Sequence, residues 1–383
     1  MLARLSPEWR ALAPVMLTAT MVGMTFSLAI PLLSLALERA GVSAFAIGLN
    51  TAANGCGIFL VAPFVGWFVS RIGVVGCFRL GLLVAAVCML LFPLRVDPLL
   101  WFPLRLLLGM AGSLMFVLSE ASVNALAPEA SRGRVLGVYA TLFSLGFVTG
   151  PIVLGLAGSE GWAPFVLASA MFLAGLWPST LLRPVQERLD HDGGERRGLL
   201  GVWRAAPLAL GGVFVYALLE ATQFALLPVY ALSRGMTEAL AAGALSIWLS
   251  GNILFQYPLG WLADRTSRLA VMLGCTLLAF LGQSLVHFVV AMPALLWPLL
   301  VALGGLMGGL YTMSLALVGE RFRGAELTAA NTAFVMTFQL GTIVGPPYAG
   351  AVMQATQVGI FPFTLLLPLL ALAVGLLLGW RRS

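Results

Sequence analysis

Apolar residues run through this chain in blocks, each closed by a short cluster of charged residues, glycine or proline. The blocks match the roughly 20 residues that a helix needs to cross the hydrocarbon core of a bilayer. Read by hydropathy, they predict twelve spanning helices: Ala11–Leu37, Ala44–Val69, Val74–Leu91, Pro98–Asn124, Val135–Ala157, Trp162–Leu182, Pro207–Leu232, Ala239–Ala263, Leu269–Ala291, Ala294–Gly319, Leu327–Met353 and Ile360–Trp380. They divide six and six around the longest polar stretch, Arg183–Arg204, which carries Glu187, Asp190, His191, Asp192 and Glu195. The predicted organisation is an all-α membrane protein with an N-terminal half, 1–182, a polar linker, 183–206, and a C-terminal half, 207–383.

The two halves repeat. Gly146, Gly150 and Pro151 recur as Gly341, Gly345 and Pro346 at an offset of 195 residues, and Gly109 with Gly304, Phe116 with Tyr311 and Ser119 with Ser314 share that offset. Parallel repeats of half-chain length are typical of one transporter architecture, in which two pseudo-symmetric six-helix bundles work against each other. Within each copy, the glycines place small residues on one helix face and the proline removes a backbone hydrogen bond.

Composition agrees with the membrane reading. Hydrophobic residues make up 60% of the 383 residues and charged residues 9%, against roughly 25% charged in a soluble domain. The first apolar run is longer than the core of a cleaved signal and has no small-residue cleavage site, so it is expected to stay. Cys56, Cys77, Cys88 and Cys275 lie in or beside apolar runs without metal-ligand spacing; packing accounts for them, and no metal or cofactor is expected. With no HExxH, no paired aspartates and two histidines, the chain lacks the clusters an intramembrane enzyme needs.

Charge sets the orientation. All 21 basic residues are Arg. Seventeen of them would lie on one side of the predicted membrane, Arg39, Arg95 and Arg234 on the other, and Arg105 within a span. The positive-inside bias then places both termini and the linker in the cytoplasm. The net charge of +6 follows topology instead of forming a patch, so no nucleic-acid partner is expected.

After the second span stands Gly66-Trp67-Phe68-Val69-Ser70-Arg71-Ile72-Gly73, and after the eighth Gly260-Trp261-Leu262-Ala263-Asp264-Arg265-Thr266-Ser267-Arg268. These resemble the Gly-x-x-x-Asp-Arg-x-Gly-Arg loop motif of the major facilitator superfamily, with Ser70 in place of the acid in the first copy and Ser267 in place of the second glycine in the other. In such a loop the glycine allows close helix contact, the carboxylate can cap a neighbouring helix, and the arginine suits a helix C-terminus or an acidic partner. Arg105-Leu106-Leu107-Leu108-Gly109 resembles the Arg-x-x-Gln-Gly motif of proton-coupled members, with Leu108 where glutamine is usual. The paired Gly-x-x-x-Gly-Pro segments resemble the fifth-span motif of antiporters. Ser119-Glu120-Ala121 followed by Arg132-Gly133-Arg134, with Leu227-Pro228-Val229-Tyr230, is most similar to the YcaD-like group near the drug:proton antiporters.

An arginine inside a span costs about 2.5 kcal/mol or more on insertion scales. Arg105 either works there or snorkels to the outer end of its helix. Among ionisable groups at mid-membrane depth Glu220 stands first, roughly 20 Å along the seventh span. It either exchanges a proton with water or stays a hydrogen-bonded structural acid against Gln223, Tyr216 or another helix. Glu120, near the end of the fourth span, is expected to form a gate ion pair with Arg132 or Arg71, with a substrate contact as the alternative. Asn54, Gln223, Asn252, Gln256, Gln283 and Gln339 are neutral candidates for substrate contact or for joining helices. His287, with no carboxylate near it in sequence, reads as packing, and Phe26, Phe116, Phe224, Trp248 and Tyr311 either line a cavity or face lipid.

The resemblance implies an alternating-access secondary transporter of the bacterial inner membrane, acting as a monomer, with a small-molecule substrate between its halves and protons as the coupling ion. Export of a small amphiphilic compound is the leading expectation. Uptake or facilitated diffusion of a metabolite such as a sugar or amino-acid derivative is the alternative, and a non-transporting receptor or accessory protein is the remote one.

Overall fold

The computed structural model describes residues 7–126, 132–180, 199–290, 292–322, 325–356 and 361–380. Among them every regular element is helical. In chain order these are α1 (Pro7–Arg39), α2 (Ala44–Val61), α3 (Val65–Leu91), α4 (Pro98–Leu126), α5 (Arg132–Ala157), α6 (Ala163–Ala174), α7 (Leu176–Ser179), α8 (Leu199–Ala205), α9 (Pro207–Ser233), α10 (Glu238–Arg265), α11 (Arg268–Val289), α12 (Pro293–Arg321), α13 (Ala325–Thr356), α14 (Phe361–Thr364) and α15 (Leu366–Trp380). Hydrocarbon offers backbone groups no partners, so a helix, which satisfies its own, is the form these apolar runs take.

Among the described residues, nine segments are long and apolar enough to cross a membrane. One of them, Ala44–Leu94, has 51 residues and contains two of the predicted spans. The break between them is Gly73, whose φ of 71° and ψ of 168° interrupt α3. That region favours glycine because it has no Cβ to clash. The predicted sixth span is divided between α6 and α7, and the predicted eleventh lies in α13, which keeps Pro346 and Pro347 inside the helix.

The chain forms two compact units, Met1–Ala40 with Ala53–Asp192, and Gly41–Ala52 with Gly193–Ser383. Helix pairing follows one scheme in both. In the first, α1 packs on α5 and α3 on α4 and α6; in the second, α9 packs on α13 and α11 on α12 and α15. Residues 181–198, most of the predicted linker, lie outside the described residues. At the end of that linker, α8 buries Val202 in a cluster with Phe322 and Phe334 of the second unit.

Glycine sets the closest crossings, and the repeat persists at atomic detail. A Cβ on Gly109 would overlap the backbone carbonyl of Asn54, and one on Gly57 that of Leu106. In the second unit, a Cβ on Gly304 would overlap the Trp248 carbonyl, and one on Gly251 that of Val301. Gly146 and Gly150 press in the same way against the carbonyls of Thr20 and Met24, and Gly341 and Gly345 against those of Phe214 and Leu218. Only a residue without a side chain lets two helix backbones approach this far.

The loop motif has a different local logic from the one expected. Nothing lies within 4 Å of a Cβ built on Gly66 or Gly260, so neither provides a close helix contact in this structure. Asp264 is exposed, and Ser267 is the N-cap of α11, its side chain accepting from Ala270 N at 3.4 Å. The serine that departs from the family pattern thus does the capping. Its counterpart is Gly73, so the two copies turn the same corner by different means, one with a positive φ and one with a capping hydroxyl. Ser267→Ala should lower stability by about 1 kcal/mol. Ser70→Ala should have no measurable effect, because the Ser70 hydroxyl donates only to Trp67 O of its own helix. Thermal unfolding of the two variants in detergent checks this pair.

Candidate functional site

Glu220 is the fourteenth residue of the 27-residue helix α9, and so sits near the middle of a span. One turn earlier on the same face is Tyr216, whose hydroxyl donates to Glu220 Oε1 at 2.6 Å. Asn252 Nδ2, from α10, donates in turn to the Tyr216 hydroxyl at 3.2 Å. Gly308 makes room for that amide, since a Cβ there would overlap the Asn252 side chain. Around the Tyr216 ring stand Tyr311 of α12, with centroids 5.3 Å apart, and Phe338 of α13 at 6.1 Å. Tyr311 also meets Phe334 at 5.4 Å and Phe338 at 6.2 Å.

Tyr216 is 4% exposed, while Glu220, Asn252, Tyr311 and Phe338 are each partly exposed. Among the described residues Glu220 has no ion pair and no hydrogen bond besides that from Tyr216. An ionised carboxylate with one hydrogen bond in apolar surroundings has lost most of its hydration, which a proton or a cationic ligand must offset.

The other expected site residues lie elsewhere. Arg105 is fully enclosed within the first unit, so the snorkelling alternative does not apply. Trp101, one turn before it, donates Nε1 to Phe92 O and Arg95 O and closes the connection between α3 and α4. Asn54 belongs to the α2 crossing with Gly109, and its Oδ1 has no partner among the described residues. Gln223, a turn beyond Glu220 in sequence, is buried and donates to Gln283 Oε1 of α11 at 3.5 Å, so this amide pair joins two helices. Gln256 is exposed one turn beyond Asn252. His287 meets the Tyr230 hydroxyl at 3.1 Å and lies edge-on to Phe288 and tilted against Phe363.

At the motif loops, Arg71 lies over Trp67 at 5.6 Å and Arg265 over Trp261 at 4.0 Å, the same i, i+4 cation–π pairing in both copies. Arg268 pairs with Glu320 and donates to Ala316 O at 3.4 Å, tying the start of α11 to the end of α12. Ser119 and Tyr139 share a hydrogen bond of 2.9 Å beside Glu120, which is exposed. The side chain of Arg132, one expected partner of Glu120, lies outside the described residues.

The sequence marks Glu220 and offers Tyr216, one turn away, as one of its partners; Asn252 and Tyr311 stand there only as separate candidates, and Phe338 is not among them. The available signal was the repeat: Glu220, Tyr216 and Asn252 stand where the first copy has Phe26, Val22 and Ile58, at an offset of 194.

A duplicated, all-helical chain with closely crossed spans and a carboxylate at mid-span is a membrane carrier in class. The family model of the Major Facilitator Superfamily matches residues 15–250 and 208–383, and the chain belongs to that superfamily. It is a multi-pass membrane transporter and not an enzyme. It is 26% identical over 378 residues to the uncharacterized MFS-type transporter YfkF of Bacillus subtilis (strain 168), covering 96% of this chain and 95% of the relative. It is 24% identical over 323 residues to the uncharacterized MFS-type transporter YcaD of Salmonella paratyphi B, covering 84% of each. A crystal structure of a mutant of the nucleoside transporter NupG superimposes with a TM-score of 0.76, covering 97% of this chain and 99% of that one. At 14% identity, that likeness is one of fold.

Proposed function

We propose that this transporter exports a small amphiphilic organic compound across the bacterial inner membrane in exchange for protons, with Glu220 as the group that takes up the proton. The observation that carries this reading is the Glu220 carboxylate: it lies mid-span, is partly exposed, and is held by a single hydrogen bond from Tyr216. Proton and substrate would compete for it. Protonation from the outside releases the substrate, and deprotonation to the inside readies the site again, so the two fluxes are coupled by exclusion.

The direction rests on the resemblance of the twin Gly-x-x-x-Gly-Pro segments to antiporter motifs. In this reading the termini and linker are cytoplasmic, and the chain works as a monomer of two halves, 1–182 and 207–383. The loops with Arg71, Asp264, Arg265 and the Arg268–Glu320 pair act as latches that form in one state and release in the other. Glu120 and Arg132 belong to the same gate.

Proteoliposomes holding a pH-sensitive dye test the reading with a panel of organic cations, sugars and amino-acid derivatives. A compound that is carried should move protons in the opposite direction to itself. Carriage with no proton movement would make the protein a facilitator, and proton movement in the same direction would make it an importer.

A further inference from the structure

We propose that a groove in the second unit holds one acyl chain of an anionic phospholipid, with the lipid headgroup at Arg204. The groove lies between α9, α13 and α15 and has a volume of about 440 Å³. Pro207, Gly211 and Leu218 line it from α9, Val344 and Tyr348 from α13, and Gly375 from α15. Apart from Tyr348 its lining side chains are apolar, so a polar ligand would lose water there without replacement. Val344 is exposed, which leaves the groove open along its side.

Its length selects the occupant. The helical stretch from Pro207 to Leu218 is about 16 Å long, close to half of the hydrocarbon core at about 15 Å. A lipid chain of one leaflet fits that depth, whereas a helix of a neighbouring protein would need a face running the whole core. Phe361, shortly before α15, packs on Tyr230 late in α9 with centroids 5.5 Å apart, so α15 runs back toward the start of α9. The Pro207 end of the groove is therefore at the membrane boundary. There stands Arg204, just before the break at Ala206, whose φ of −132° and ψ of 57° separate α8 from α9. Arg204 is exposed and, among the described residues, takes part in no ion pair. It is nonetheless held in place, because Val202 and Trp203 beside it pack into the cluster with Phe322 and Phe334. An arginine so placed draws a phosphate by charge and by paired hydrogen bonds.

The hollow is particular to this copy. Nothing lies within 4 Å of a Cβ built on Gly211 or Gly375, and neither has a positive φ. Each weakens its helix relative to alanine and brings no second backbone closer; what it provides is room. Gly146 on the Thr20 carbonyl corresponds to Gly341 on the Phe214 carbonyl, and this register pairs Gly211 with Leu17 of the first unit. One copy puts a leucine at this place and the other leaves it empty, as a ligand groove would require and a shared packing rule would not.

Native mass spectrometry of the purified full chain in detergent, titrated with dioleoylphosphatidylglycerol or dioleoylphosphatidylcholine, tests the proposal. The unaltered protein should hold its first phosphatidylglycerol about fivefold more tightly than its first phosphatidylcholine, the scale of one arginine at a charged surface. Arg204→Gln should remove that preference and leave phosphatidylcholine unchanged. Gly211→Leu, which gives the second unit the first unit's residue, should weaken the first molecule of either lipid by about tenfold, since the new side chain takes the place of buried methylenes. Arg204 is on the surface, so its variant remains a test even if Gly211→Leu does not fold. Equal affinities for the two lipids in the unaltered protein would overturn the proposal, as would a preference that survives Arg204→Gln or a folded Gly211→Leu protein that binds both lipids unchanged. A lipid-free dimer that Gly211→Leu dissociates would overturn it too, by making the groove an interface between copies of the chain.

Discussion

Glu220→Gln is expected to reduce gradient-driven accumulation by about 100-fold or more, the scale set by losing a positioned proton-transfer group, while the folded yield stays at that of the unaltered protein. Glutamine has nearly the same shape and can still accept the bond from Tyr216, so the local packing among Tyr216, Tyr311 and Phe338 has no reason to change. What it lacks is the proton equilibrium. Removing a charge from apolar surroundings does not destabilise a helix bundle, so loss of function here would not be loss of fold. Tyr216→Phe is the informative companion. It removes the hydrogen bond and keeps the carboxylate, and it should retain coupling with a slower rate. Accumulation of a permanently charged probe such as 4-phenylbutyltrimethylammonium, which cannot follow a pH gradient through the lipid by itself, is the measurement. Full accumulation by Glu220→Gln would move the coupling role elsewhere, with Glu120 the next acid to examine.

The second large effect is structural. Gly304→Ala should strongly reduce the yield of folded protein, because the added carbon would overlap the backbone carbonyl of Trp248, and a backbone cannot move aside as a side chain tip can. Overpacking of a well-filled core costs about 1–3 kcal/mol, occasionally more, and backbone overlap belongs at the upper end. Gly109→Ala should behave alike, since it meets the carbonyl of Asn54 in the equivalent crossing of the first unit. Gly211→Ala and Gly375→Ala are the controls: nothing lies within 4 Å of a Cβ at either position. They should be neutral or slightly stabilising, as alanine is the better helix former. Size-exclusion profiles and melting temperatures separate the two pairs, and a Gly304→Ala protein with unchanged yield and melting temperature would contradict the crossing geometry.

How far the sequence could be read follows from the range of each interaction. Helix formation and the repeat were legible because apolar runs and the 195-residue offset are properties of contiguous sequence. Gly73 and Ser267 show where that stops. The pattern marks both as positions of one motif, yet whether the corner is turned by a positive φ or by a capping hydroxyl depends on backbone angles that no spacing reveals. Gly66 and Gly260 looked like contact glycines and touch nothing, whereas Gly57 and Gly251, outside any motif, form two of the closest crossings. Glu220 was conspicuous as a rare acid in an apolar helix. Its neighbours were not, since Asn252, Tyr311 and Phe338 reach Tyr216 across separations of 36, 95 and 122 residues. Arg105 was equally conspicuous, but whether it snorkels or is enclosed is decided by neighbours on other helices.

The measurement closest to the central claim is internal pH in dye-loaded proteoliposomes after 4-phenylbutyltrimethylammonium is added outside with no gradient imposed. Proton-coupled exchange through Glu220 predicts that entry of the cation drives protons out and the lumen becomes alkaline, and that this response vanishes in Glu220→Gln. Entry of the cation with a flat pH trace, or an alkaline response of the same size in Glu220→Gln, would contradict it.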